Sequence, residues 1–181
     1  KSDIILDLIK VIGCGVEAKQ VKAKGVSTFN LSALRWDKII ICTDADEDGY
    51  QIRTLILTMF YRLLPSLIKE GRIYIAETPL YQINCGNDTM FAYSEAEKVT
   101  ILEKLGDKKV TIQRSKGLGE NDADMMSLTT MNPATRKLVR ISPEDEARTY
   151  EMFDILLGDN IIGRKDFIAK YGAKYLNLAD Y

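Results

Sequence analysis

Ile39-Ile40-Ile41-Cys42-Thr43-Asp44-Ala45-Asp46-Glu47-Asp48-Gly49 changes character halfway along, from wholly apolar to sharply acidic. Three β-branched isoleucines followed by a cysteine predict a short strand, buried on both faces of a parallel sheet. The aspartates that follow stand at i, i+2 and i+4. In extended backbone alternate side chains point to one side, so this spacing predicts converging carboxylates. Like charges so close repel one another, and a hard divalent cation taking oxygen ligands relieves the repulsion. The place is apt as well, because ligands of open α/β sheets sit beyond the carboxyl ends of the strands.

Three readings of the acidic turn compete. It can be an N-terminal cap on the helix behind it, where negative charge meets the helix dipole; that explains one aspartate more easily than three. It matches the first half of an EF-hand loop, D-x-D-x-D-G, but the twelfth position, where a bidentate Glu is needed, is Leu55, and a strand rather than a helix leads in. The third reading, a catalytic Mg²⁺ site, suits both the strand before the turn and the helix after it.

Beyond Gly49 the apolar period becomes 3.6. Ile52, Leu55, Ile56, Met59, Phe60, Leu63 and Leu64 form a helical stripe that Pro65 ends. Arg72 to Ala76 supplies a second parallel strand, completing the start of a βαβ unit. Upstream, Ile4, Ile5, Leu8, Ile9 and Ile12 share one face of a helix closed at Gly13, and Glu17 to Ser32 reads as a loop. Downstream, Tyr81 to Asn84 and Met90 to Tyr93 flank a hairpin turn. Ser94 and Glu97 are spaced as a capping box for a helix to Leu105, and Val110 to Arg114 is a further strand. Asp122 to Leu128 reads as a short helix. Ser142-Pro143-Glu144-Asp145 caps a longer one ending at Gly158, and Arg164 to Tyr171 forms the last.

Composition narrows the chemistry. The 181 residues hold no histidine, so zinc sites and histidine-activated nucleophiles are excluded, leaving carboxylates, Lys, Arg, Tyr and hydroxyls. A net charge of -1 gives no overall signal for nucleic acid, so any such contact has to come from local basic clusters. Three widely spaced cysteines suit buried free thiols in a reducing cytoplasm. No apolar run reaches the roughly 20 residues of a membrane span, and no signal peptide is visible. The chain opens on Lys1 without a Met, as a piece of a longer protein would.

The segment from Ile39 through Gly49 into Ile52-Arg53-Thr54-Leu55 resembles, nearly residue for residue, the D-x-D-x-D-G-x-H-I-R-x-L segment of the Toprim domain in B subunits of bacterial type IIA DNA topoisomerases, the gyrases and topoisomerases IV. The likeness continues through Phe60-Tyr61-Arg62, Tyr74-Ile75-Ala76 and Thr78-Pro79-Leu80-Tyr81. Ile112-Gln113-Arg114-Ser115-Lys116-Gly117-Leu118-Gly119-Glu120 is similar to the family's second signature. Thr130-Met131-Asn132-Pro133, Arg136, Leu157-Gly158-Asp159 and Arg164 to Ile168 extend it to the end. Two departures stand out. Gln51 occupies the family's usual His position, and the family's Glu, in an E-G-D-S-A motif, belongs upstream of Lys1, which leaves both metal site and sheet incomplete.

The resemblance implies an α/β fold: a partial Toprim domain (a Rossmann-like parallel sheet flanked by helices) over residues 1–93, and a mostly helical C-terminal tail region over residues 94–181. It implies an enzyme that cleaves double-stranded DNA and reseals it, the nucleophilic tyrosine coming from an A subunit in an A2B2 heterotetramer. By the same token none of the 9 tyrosines here is the nucleophile, and their default role is packing. Mg²⁺, with Mn²⁺ or Ca²⁺ able to substitute, would be held by Asp44 and Asp46 with Asp48 close by, the aspartates acting as ligands and not as proton carriers. Lys116, Gly117 and Gly119 would lie beside DNA, Lys116 also at the catalytic centre, though Gly-x-Gly alone equally describes an ordinary turn. Arg53 would touch DNA, against a default of solvated surface charge. Arg136, Lys137 and Arg140 either touch DNA or balance neighbouring acids, and the charged run from Glu144 to Arg148 reads as a solvated face. ATP would bind only an N-terminal domain outside this chain, so the fragment alone would be inactive, and its setting would be the bacterial cytoplasm, with no membrane partner. The other readings are a Toprim module of a primase or nuclease, and a non-enzymatic metal-binding interaction domain.

Overall fold

The computed structural model describes residues 2–18, 25–115, 117–142 and 146–178. Helix α1 (Asp3–Ile12) buries Ile9 and Ile12 and ends at Gly13, as its apolar period predicts. Ile4 does not share that buried face; it is 80% exposed, in the first turn. Strand β1 (Ile39–Ile41) is the apolar run, and α2 (Glu47–Leu63) follows it. Pro65 ends α2 and then opens α3 (Pro65–Lys69) from the first helical position, where a missing N–H costs nothing.

Strand β2 (Ile73–Ala76) pairs parallel with β1, Ile39 opposite Ile73 and Ile41 opposite Ile75. Antiparallel β3 (Tyr81–Cys85) and β4 (Asp88–Ala92) join through the two-residue loop Gly86-Asn87. Gly86 has φ 62, while among the described residues no non-glycine has positive φ, the signature of a type II′ turn with glycine first. Helix α4 (Glu95–Leu105) is capped by Ser94, whose side chain accepts the Glu97 N–H; Glu97 in turn accepts the Tyr93 N–H at 2.7 Å. Strand β5 (Thr111–Arg114) pairs with the other edge of β3. A short α5 (Ala123–Met126) runs into a wide turn of π-type over Ser127–Met131.

Strand β6 (Leu138–Arg140) has no counterpart among the strands expected from sequence. It adds antiparallel to β2, so the sheet has the order β1-β2-β6 and is mixed rather than parallel throughout. Helices α6 (Glu146–Leu157) and α7 (Ile161–Tyr171) and a 3-10 stretch over Gly172–Leu178 end the chain. The cap predicted at Ser142 to Asp145 involves 143–145, outside the described residues. Among the described residues no helix is long and apolar enough to cross a membrane.

Two compact units result. Ile39–Leu55 with Ile73–Arg140 form one; Lys1–Lys38, Ile56–Arg72 and Ile141–Tyr181 form the other. The first holds both sheets. In its second sheet Tyr81, Ile83 and Ala92 are buried, and Ile101, Leu102 and Leu105 of α4 pack against them with Met90 and Val110. The other unit is cored by Ile9, Ile12, Cys14, Met59, Phe60, Leu64 and Leu67. There the Tyr61 and Phe153 rings stack with centroids 5.0 Å apart, and the Glu17 carboxylate accepts both the N–H and the hydroxyl of Ser66 at 2.8 Å. Of the three thiols expected to be buried only Cys14 is; Cys85 is half-buried, and Cys42 is exposed, because it alternates with buried Ile41 and Thr43.

Candidate functional site

β1 and β2 run parallel, so the chain leaves both at the same edge, where the acidic turn begins. Thr43 is buried there, and its hydroxyl has no hydrogen-bond partner. Asp46 then caps α2. Its Oδ1 accepts the Gly49 N–H at 2.7 Å, and its carbonyl accepts the Tyr50 N–H at 2.9 Å. Side-chain capping of this kind satisfies one of the four orphan N–H groups of a helix start. It also draws the helix back to Glu47, before Gly49, so Glu47 and Asp48 lie in the first turn. The extended i, i+2, i+4 alternation therefore stops at Asp46, and Asp48 lies in helical backbone instead.

Gly49 is required by close approach. A Cβ there would lie 2.0 Å from the Asp44 carbonyl oxygen, a backbone atom that has no room to yield. The strand end and the first turn of α2 thus fold directly onto each other.

Asp44 connects this turn to the second signature. Its Oδ1 accepts the Leu118 N–H at 2.7 Å, across 74 residues of chain. Gly117 lies alongside: a Cβ on it would be 3.6 Å from Asp44 Oδ2. Gly119, in the 3-10 turn Leu118–Glu120, faces open space instead. Lys116 falls outside the described residues. Arg53 lies partly buried on α2 with its guanidinium over the Tyr50 ring at 5.2 Å, and its Nε is buried without a partner. Gln51 is exposed on the same helix.

Among the described residues no three or more ligating side chains are gathered as a metal cage. What the turn does present is two carboxylates two residues apart, Asp44 and Asp46, each with Oδ1 accepting a backbone N–H. The Leu118 contact escaped sequence reading because a backbone amide leaves no trace in residue identity; only the flanking glycines hint at a close approach. In the basic stretch Lys137 pairs with Glu97 at 3.5 Å and sits over the Tyr93 ring at 3.7 Å. Arg136 donates to the Met131 carbonyl.

Comparison with known proteins accounts for both signatures. The Toprim domain model matches residues 4–78, and the model for the carboxyl terminus of the DNA gyrase B subunit matches residues 107–169. The chain is 42% identical over 178 residues to the DNA gyrase B subunit of Thermotoga maritima, covering 98% of this chain and 27% of that protein. It is 42% identical to the DNA gyrase B subunit of Archaeoglobus fulgidus, again over 98% of this chain and 26% of the relative. The DNA topoisomerase 4 B subunit of Bacillus subtilis is 41% identical over 94% of this chain and 25% of its own length. The chain therefore spans about a quarter of the length of these relatives. With a Toprim match around the acidic turn and a gyrase B match around its partner loop, this chain belongs to the family of type IIA DNA topoisomerase B subunits.

Proposed function

We propose that the chain is the metal- and DNA-contacting part of the B subunit of an ATP-dependent type IIA topoisomerase, an isomerase of double-stranded DNA in the bacterial cytoplasm. In this reading residues 1–93 form the Toprim portion and 94–181 the C-terminal region. A separate A subunit supplies the nucleophilic tyrosine, two copies of each making the working enzyme. The observation that carries the reading is the Leu118 amide bonded to Asp44, because it joins the two signature segments.

The residues suit a divalent cation of Mg²⁺ type. Such an ion binds through one or two carboxylates, keeps several waters and takes phosphate oxygens for the rest. Asp44 and Asp46 each have Oδ1 engaged by backbone, which fixes the carboxylates and leaves Oδ2 for a ligand. Asp48, in the first turn of α2, adds negative charge at the rim. When bound, the ion supplies charge stabilisation at the scissile phosphate.

The chain's own groups do the positioning. Asp46 holds the helix start, and with it the direction of its own carboxylate, through its cap, while Asp44 is held by the Leu118 N–H. The Gly117 and Gly119 backbone allows a phosphate close approach, with Lys116 adding positive charge next to it. Arg53 stands about two turns into α2, partly buried, and its guanidinium is the group that would meet a phosphate oxygen. The gyrase B match over 107–169 weighs against a primase or nuclease setting.

The test is a reconstituted enzyme, full-length B subunit with A subunit, carrying Asp44→Asn or Asp46→Asn. DNA cleavage is expected to fall by about 100-fold or more while ATP turnover changes little. Wild-type cleavage in both variants would remove the basis for these roles.

A further inference from the structure

The tether between the two signatures is more than a packing contact. We infer that the Leu118 backbone amide is a positioning group for Asp44, setting the carboxylate's rotation so that Oδ2 faces the ligand side. The inference rests on the metal reading above and goes beyond it by assigning a role to a residue whose side chain has no part in the chemistry.

Two observations carry it. The bond is short, at 2.7 Å, and charge-assisted, with an N–H donating to a carboxylate oxygen. Without a second partner a carboxylate on a two-torsion side chain samples a broad range of terminal rotation, and one fixed oxygen removes that freedom. Gly117 is extended, with φ -149 and ψ 156, and it lies beside the carboxylate, where a Cβ would be in ordinary contact with Asp44 Oδ2 at 3.6 Å. The loop therefore holds Oδ1, and in this reading Oδ2 is the oxygen left to the ligand. Partners that orient metal ligands in this way commonly contribute about 10- to 100-fold to affinity.

The local backbone allows the amide to be removed on its own. Leu118 is the first residue of its 3-10 turn, and proline is well accepted at a first helical position. The residue before a proline has to be extended, and Gly117 already is. Leu118→Pro thus deletes the N–H with little change in backbone, while Leu118→Ala removes the side chain and keeps the N–H. Mn²⁺ binding to the full-length B subunit, measured from the free-ion electron paramagnetic resonance signal, is the readout, with thermal melting confirming that each variant folds.

Leu118→Pro is expected to weaken Mn²⁺ binding about 10-fold or more relative to Leu118→Ala at similar melting temperature. Equal affinity in the two variants would overturn the positioning role. Asp44→Asn separates this failure from a failure of the metal reading. If Asp44→Asn loses binding and Leu118→Pro does not, the metal site stands and the positioning role falls. If Asp44→Asn binds like wild type, or wild type does not bind at all, both fall. Should Leu118→Pro unfold, an ester in place of the Leu118 amide removes the same N–H without a proline ring; binding equal to that of the amide form would likewise overturn the positioning role.

Discussion

Asp46 has two tasks that different substitutions separate. As a cap it satisfies the Gly49 N–H; as a carboxylate it offers charge to a cation. Asparagine caps as well as aspartate does, so Asp46→Asn is expected to leave unfolding free energy within about a few tenths of a kcal/mol, whereas Asp46→Ala loses about 1 kcal/mol. Urea unfolding of the two variants checks this, and equal destabilisation of both would contradict the capping role. Gly49 and Gly119 make a second contrast. Gly49→Ala forces a methyl against the Asp44 carbonyl and is expected to cost about 1–3 kcal/mol, while Gly119→Ala meets nothing within 4 Å and should stay within about 0.5 kcal/mol. At this scale the sequence was informative about identity and weak about geometry. The three aspartates were legible as an acidic turn beyond a strand, but the cap at Asp46 turned Asp48 into a helical residue. Strand alternation does not anticipate that, because the first turn of a helix is decided by where its orphan N–H groups find partners.

Among the elements, α4 and its sheet carry a titratable link. The Tyr81 hydroxyl donates to Glu95, and Lys98 pairs with the same carboxylate at 2.5 Å while lying over the Tyr81 ring. The Lys98 ammonium, then the Tyr81 hydroxyl, hold the Glu95 carboxyl below its ordinary 4.5. A carboxyl depressed in the folded state contributes stability that is complete above its unfolded pKa and is lost as pH falls through the folded one. Melting temperature is therefore expected to decline below about pH 4.5 in part through Glu95, and less steeply in Glu95→Gln; identical profiles would count against the link. The Glu95 carboxylate is accessible to water, so the effect is small. Elements with strong local signals were readable in advance: α1 from its apolar period, the hairpin from Gly86-Asn87, α4 from its capping box. β6 was not. Its three residues lie among Arg136, Lys137 and Arg140, and they become a strand only because the free edge of β2 pairs with them.

For the whole molecule, the predicted site residues that are described all fall in one compact unit, Ile39–Leu55 with Ile73–Arg140. The thiols report on both units. Cys42 and Cys85 are expected to react with a thiol reagent in the native state, and Cys14 only on unfolding; native-state labelling of Cys14 at the Cys42 rate would contradict its burial. The acidic turn was legible because its whole pattern lies in one short stretch, whereas the span matched is about a quarter of a gyrase B subunit, and a catalytic cycle is not written in a quarter of a chain. The claim on which the rest depends is that Asp44 and Asp46 hold a divalent cation. Its most direct test is Mn²⁺ titration of the full-length B subunit, with its amides selectively labelled, followed by nuclear magnetic resonance. Paramagnetic broadening should begin at residues 44–49 and 117–119 and disappear in the Asp44→Asn, Asp46→Asn double variant. Broadening centred elsewhere, or unchanged in that variant, would contradict the assignment.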